Sequence, residues 1–235
     1  MSVEFGATAV FDTVDLVGVL TNGLLGGAVA RQLRFDPIGF LVLAVLSALG
    51  GGMMRDTLLQ HGFPVALTNP AYLLIAMVGA AVAFVVRLDG IWATRVLLVA
   101  DSLSLGCWSA TGTAKALEVG LGWLPALLLG LLTAVGGGMV RDIAVGRLPA
   151  IFGGNTLYAT GALIGSVEMA VLYPLGLGTL GFALAIVTGS AVSLIARRRG
   201  WRLPEPVELR LGALPGLRWP RRRPRPRRTD ENHKG

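Results

Sequence analysis

Seven blocks of mostly apolar residues run along the chain, at about 11–30, 38–60, 70–87, 94–117, 122–146, 156–173 and 177–196. Each approaches the roughly 20 residues that an α-helix needs to cross a bilayer, and none shows the period-two alternation of a half-buried strand. The blocks use most of residues 1–196, so this stretch reads as one membrane domain with no room for a separate soluble one. The pattern predicts an all-α polytopic membrane protein with seven transmembrane helices. Composition agrees: 53% of residues are hydrophobic and 15% are charged, where an ordinary soluble domain carries about 25% charged residues.

The connections between blocks are not equivalent. The first holds Arg31 and Arg34, the third holds Arg87 with Arg95 just beyond it, and the fifth holds Arg147. The second, fourth and sixth are nearly free of arginine. Basic connections face the cytoplasm. This puts the N-terminus outside and the C-terminus inside, as an odd number of spans requires. Trp92, Trp123 and Trp201 fall near block ends, where aromatic anchors collect, and His61 and Arg147 read as interface residues. The start, MSVEFGATAVFD, carries acids and no Lys or Arg, unlike a signal peptide, so the first span is expected to be retained. The net charge of +7 comes from residues 197–235, where RRR is followed by PRRRPRPRR. Such a segment is too polar and proline-rich for a packed core. It predicts a disordered cytoplasmic tail, with attraction to anionic lipid head groups as the sharper reading, and no nucleic-acid partner. Cys107 stands alone and reads as a small packed residue.

The chain also repeats itself. At an offset of 86 positions, Gly50, Gly51 and Gly52 fall on Gly136, Gly137 and Gly138, Arg55 falls on Arg141, and Asp56 falls on Asp142. Ser47 meets Thr133, Gly26 meets Gly112, Asp15 meets Asp101, and Tyr72 meets Tyr158. Matches spread this widely at one offset indicate an internal repeat of three spans, 11–87 and 94–173, followed by a seventh span at 177–196. Because three is odd, the second copy enters from the opposite side of the membrane. The copies are then inverted about an axis in the membrane plane, a transport architecture whose sites lie near the midplane.

The repeated motif, GGGMMRD at 50–56 and GGGMVRD at 136–142, is an expensive way to build a membrane helix. Glycine costs about 1 kcal/mol per residue in a helix relative to alanine, and an ionisable side chain at the helix centre costs about 2.5–3.5 kcal/mol on insertion scales. Three consecutive glycines predict a bend or a local opening of the hydrogen-bond ladder. Carbonyls freed in this way can coordinate a cation where they line water. Close helix packing through small residues is the competing reading, and it leaves the repeated Arg-Asp unexplained. Neighbouring side chains on a helix point about 100° apart, so Arg55 and Arg141 are expected to find partners elsewhere, among acids of the other repeat or lipid phosphates. Asp15 and Asp101 are either those partners or attractors of cations. Ser47 and Thr133, three residues before each glycine run, are either pore-lining hydroxyls or bonded to their own backbone. Lys115 has Val29 at its matched position. It reads as a gate, a lipid contact or a voltage-sensitive charge, or else as a side chain that snorkels outward.

Two copies of a three-span unit with GGGxxRD in the middle helix, and a seventh span after them, resemble the prokaryotic TRIC family, the trimeric intracellular cation channels. GTAKAL at 112–117 resembles that family's fourth-span lysine segment. The resemblance covers about residues 11–196 and leaves the tail out. It implies a homotrimer in a prokaryotic plasma (inner) membrane, each subunit with its own hydrophilic pore between glycine-kinked second and fifth helices. It implies conduction of monovalent cations, chiefly potassium with sodium beside it, and phospholipid bound near the kinked helices. By motif position it carries a pore or kink role to Gly50, Gly51, Gly52, Gly136, Gly137 and Gly138. It carries charged intramembrane roles to Arg55, Asp56, Arg141, Asp142 and Lys115.

The residues alone do not separate a passive potassium-permeable channel from a secondary transporter of a small solute such as glycine; the resemblance favours the channel. A non-transporting scaffold leaves the paired intramembrane charges unexplained. No nucleophile with a base, metal-ligand cluster or phosphate loop stands out, and GGGMVRD lacks the Lys-Ser/Thr end of a P-loop. No enzyme activity, metal centre or cofactor is expected.

Overall fold

The structure, a computed structural model, describes residues 2–88, 90–149, 151–152 and 157–201, with side chains described from residue 11 onward. Among the described residues it is all helix and turn, without a strand. The helices are α1 (Ser2–Gln32), α2 (Pro37–Leu59), α3 (Val65–Thr68), α4 (Pro70–Val85), α5 (Ile91–Glu118), α6 (Trp123–Ala144), α7 (Tyr158–Leu172) and α8 (Gly178–Arg199). By length and composition α1, α2, α5, α6 and α8 can each cross a membrane, while α4 and α7 are apolar but shorter. The limits follow the apolar blocks closely, with two differences. Helix α1 reaches back to Ser2, and α8 runs on to Arg199, three residues into the stretch assigned to the tail. From residue 202 the tail, with its expected lipid contacts, lies outside the described residues.

Local sequence explains several of these limits. Asp36 caps α2 by accepting from the Gly39 amide at 2.7 Å, ahead of Pro37 in the first turn. Asn69 caps α4 in the same way, accepting from Ala71 at 3.0 Å, with Pro70 next. A side-chain oxygen satisfies an amide that the helix leaves open, and proline has no amide to satisfy there. Helix α8 stops at Gly200, whose φ of 65° lies in the left-handed region that glycine adopts without strain.

Helix α1 packs against α2 and α4, and α5 packs against α6 and α7. The two groups meet where α2 crosses α6 and where α1 passes α5, and α8 covers α5 and α7. Arg31, at the end of α1, donates to the carbonyls of Ala83 (3.1 Å) and Phe84 at the end of α4. At the opposite end of the bundle, Tyr173 donates to Glu118 at the end of α5, at 3.2 Å. Short connections between antiparallel helices thus gather Arg31, Arg34, Arg87, Arg95, Arg147 and Arg197 to Arg199 at one end. Large apolar side chains such as Ile38, Val85, Ile91, Leu128 and Val187 are exposed around the outside. Small polar ones, among them Ser102, Ser109, Thr113, Ser166 and Ser193, are buried. This reversal suits a lipid solvent, in which polar atoms must find partners within the protein: Ser102, Ser109 and Thr113 each donate to a carbonyl one turn back on their own helix.

Candidate functional site

Helices α2 and α6 cross at their glycine motifs. Both remain continuous α-helix through the three glycines, so the expected opening of the ladder does not occur. Two glycines of each run serve close approach instead. A Cβ on Gly51 would collide with the Thr133 carbonyl, and one on Gly137 with the carbonyl of Ser47, the repeat mate of Thr133. A Cβ on Gly136 would lie 2.8 Å from the Gly51 Cα, and one on Gly50 would lie 3.3 Å from Val140. The third glycine differs. Near a Cβ at Gly52 only Arg55 Nη2 comes close, at 3.9 Å, and near one at Gly138 only Arg141 Nη2, at 3.6 Å.

Those third glycines open onto two cavities that flank the crossing. The first, of about 350 Å³, is lined by Asp12, Asp15, Gly52, Arg55, Asp56, Tyr72, Trp108, Lys115 and Thr133 with several apolar side chains. The second, of about 230 Å³, is lined by Asn22, Asp101, Gly138, Arg141, Asp142, Tyr158 and Arg197 with its own apolar set. Most of this second set are the 86-residue mates of the first, and Asn22 is the mate of Trp108. The first cavity lies toward the end where α2 finishes. The second lies where α6 finishes and the arginines gather. Short helices make room for both. At about 1.5 Å per residue α4 and α7 reach only about 24 and 22 Å, against roughly 30 Å of hydrocarbon. Tyr72 and Tyr158, in their first turns, line the space left over.

Within each motif the arginine pairs with the aspartate beside it. Arg55 Nε lies 2.7 Å from Asp56 Oδ1, and Arg141 Nη2 lies 3.0 Å from Asp142 Oδ1. These pairs form within each motif rather than with acids of the other repeat. The two Cβ atoms do diverge, but a long guanidinium stem folds back over the bare surface of the glycine three residues earlier, on the same helix face. Asp56 makes two further contacts. Its Oδ2 accepts from the Val65 amide at 2.9 Å, tying α3 to α2, and Lys115 Nζ lies 3.8 Å from its Oδ1. Lys115 therefore points inward from α5 to α2 instead of snorkelling outward.

Asp15 and Asp101 are not ion-paired with the motif arginines either. Asp15 accepts from the Tyr72 hydroxyl and from the Trp108 indole, the latter at 2.5 Å. Asp101 accepts from Tyr158 at 3.2 Å and takes the Arg197 guanidinium at 3.4 Å, while the Asn22 amide donates to the Gly18 carbonyl at 3.3 Å. Thr133 lines the first cavity while donating to the Leu129 carbonyl at 2.6 Å. Ser47 is fully buried against Gly26, and its hydroxyl has no hydrogen-bond partner among the described residues. Sequence reasoning did not assign Trp108, Asn22 or Arg197 to this chemistry. The first two are repeat mates of unlike identity, so the offset hides them. Arg197 sits inside an RRR run that reads as a topological signal, although it follows the buried Ser193 by one helical turn.

Comparison with known proteins now has a geometry to attach to. The family model described as glycine transporter matches residues 12–87 and again 98–174, well over half of the chain. The UPF0126 inner membrane protein YadS of Escherichia coli is 36% identical over 115 residues, 48% of this chain and 56% of that protein. The chain matches about half the length of its curated relatives. Among solved structures, the TRIC channel orthologue from Rhodobacter sphaeroides is 30% identical with a TM-score of 0.70, over 81% of this chain and 96% of that one. A structure described as the basis for conductance through TRIC cation channels is 29% identical with a TM-score of 0.78, over 84% and 98%. These structural relatives are ion channels, not enzymes. With its all-helical fold, its doubled glycine motif and these matches, the chain belongs to the TRIC family and also matches the family model described as glycine transporter.

Proposed function

We propose that this protein is a cation channel of a bacterial inner membrane, with an ion path in each subunit that runs through the two cavities in series past the α2–α6 crossing. The observation that carries the reading is the doubled site. Arg-Asp, a second Asp, a Tyr and a Gly recur around both cavities, on either side of one helix crossing. Ionisable groups inside a membrane mark ion pathways unless a structural pairing accounts for them. Here the ionisable groups are paired with one another, but the pairs line open cavities instead of being sealed in helix packing. Seven spans, as two inverted repeats of three with α8 added, fit this placement, since the repeated residues then fall at opposite ends. The structural relatives named above are described as trimeric or conducting cation channels, which supports cation conduction by a homotrimer; monovalent cations, with potassium foremost, are the permeant ions of this proposal. The basic end of the bundle in the cytoplasm and the N-terminus outside follow from the positive-inside rule. Phospholipid against the outer faces of α2 and α6 completes the reading. Contact of Gly51 with Thr133 and of Gly137 with Ser47 closes the path between the cavities, so opening requires the two helices to separate.

One observation favours a second reading. Two cavities at opposite ends, separated by a closed contact, also fit alternating access by a transporter, and the family description names glycine. Purified full-length protein in planar bilayers under a potassium chloride gradient separates the two. Unitary steps that reverse near the potassium potential support the channel. A silent bilayer, with saturable glycine uptake into proteoliposomes of the same preparation, supports the transporter.

A further inference from the structure

In the second cavity a guanidinium is already seated. Arg197 reaches in from α8 and lies 3.4 Å from Asp101 Oδ2 and 4.9 Å from the centre of the Tyr158 ring. Asp101 holds it while also accepting from Tyr158. The first cavity repeats the carboxylate and the tyrosine as Asp15 and Tyr72, in direct hydrogen bond, and the indole of Trp108, the repeat mate of Asn22, also donates to Asp15. It does not repeat the cation, because α8 lies outside the repeat. Among the described residues no Lys or Arg comes within ion-pair distance of Asp15: Arg55 and Lys115 both lie on Asp56, and the Lys115 charge acts on Asp15 only from farther off.

From this comparison within one chain we infer that the first cavity binds an organic monocation, an alkylguanidinium or alkylammonium ion, between the Asp15 carboxylate and the Tyr72 ring. An ionised carboxylate can accept at about four lone-pair sites. Two neutral donors therefore leave Asp15 room for a cation, and Asp101 takes one beside its own tyrosine. The walls suit this ligand. Phe11 and Phe182, stacked at 4.8 Å, line the same space as the Tyr72 and Trp108 rings and the Asp12 carboxylate. Aromatic faces beside a carboxylate attract weakly hydrated cations, and guanidinium also stacks on such faces. The cavity volume of about 350 Å³ falls within the roughly 300–1,000 Å³ usual for small-molecule sites. The inference deepens the cation-conduction reading and rests on it for its functional sense: an ion held here, entering from the N-terminal end, occupies the conducting path.

The test measures binding without flux. Ethylguanidinium is titrated calorimetrically into purified full-length protein in detergent, with assembly checked by size exclusion. Saturable binding is expected at one ion per chain. It weakens by about tenfold or more in Asp15→Asn, which removes a charge-assisted contact, and in Tyr72→Leu, which removes the ring. Tyr72→Phe keeps the ring and stays within a few-fold of the parent, and Asp101→Asn, in the other cavity, leaves binding unchanged. Absence of saturable binding in the parent protein, or binding that survives both Asp15→Asn and Tyr72→Leu, overturns the inference. Should Asp15→Asn fail to assemble, the contrast between Tyr72→Leu and Tyr72→Phe decides. Because nothing here depends on current, a protein that binds ethylguanidinium yet passes no ions refutes the channel reading and leaves this site standing.

Discussion

A methyl group added at Gly137 meets the carbonyl oxygen of Ser47, and one added at Gly51 meets that of Thr133. Both obstacles are backbone, so relief requires α2 and α6 to move apart, and overpacking of this kind costs about 1–3 kcal/mol. At Gly52 and Gly138 the nearest atom is a flexible arginine tip, at 3.9 and 3.6 Å, and the higher helix propensity of alanine returns up to about 1 kcal/mol. Gly51→Ala and Gly137→Ala should therefore lower the melting temperature of the detergent-solubilised protein, while Gly52→Ala and Gly138→Ala hold or raise it. Thermal scanning read by size-exclusion chromatography checks this. An equal response at all four positions would mean that each run acts as a hinge rather than as a contact with one open side. The cost of three glycines in a helix was legible in the sequence because it is local. What stands opposite each glycine was not, because it depends on how two helices rotate against each other, and small residues allow many rotations.

Among the elements, α3 shows how much one carboxylate can hold. Its four residues are far too few to persist alone, and Asp56 ties its first amide to α2 at 2.9 Å. The same carboxylate balances Arg55, whose side chain is only 7% exposed. Asp56→Ala frees α3 and leaves a buried guanidinium without its counter-charge, a loss of about 3–5 kcal/mol. Little assembled protein is expected. Adding Arg55→Met removes the stranded charge and should restore much of the assembled peak on size exclusion, while residues 60–69 remain sensitive to protease. If the double variant assembles no better than Asp56→Ala, the tie to α3 rather than the ion pair carries the stability. The long helices were readable because apolar runs of this length have few alternatives in a chain. A one-turn helix has no period to read. The Arg-Asp pairing was missed because Cβ directions were considered without the reach of an arginine stem, and the end of α8 was missed because a basic run there has a sufficient topological explanation.

For the molecule as a whole, the recurrence of the glycine motif with its Arg and Asp was visible in the sequence, and so was the oddity of Lys115. The inequality of the two cavities was not, since it comes from α8 and from the unlike mates Trp108 and Asn22, which no offset displays. Lys115 lets that inequality be probed. Its side chain is 33% exposed and lies 3.8 Å from Asp56, and a pair this hydrated contributes about 0–1 kcal/mol, so Lys115→Gln should leave assembly intact. The field changes more than the stability. Of the charged side chains lining the first cavity, Asp12, Asp15 and Asp56 then face Arg55 alone. In a cleft with low-dielectric walls the loss of one positive charge raises the local cation concentration. On the channel reading, Lys115→Gln raises potassium permeability relative to chloride by a few-fold in about 0.1 M salt. The gain fades toward 1 M, as the screening length falls from about 10 Å to about 3 Å. Reversal potentials under a potassium chloride gradient at both ionic strengths measure it. A potential unchanged at low salt would take the first cavity off the ion path. A shift that persists at high salt would place the Lys115 ammonium within direct reach of the permeating ion, where screening does not act, so that its removal changes a local contact rather than the field of the whole cavity.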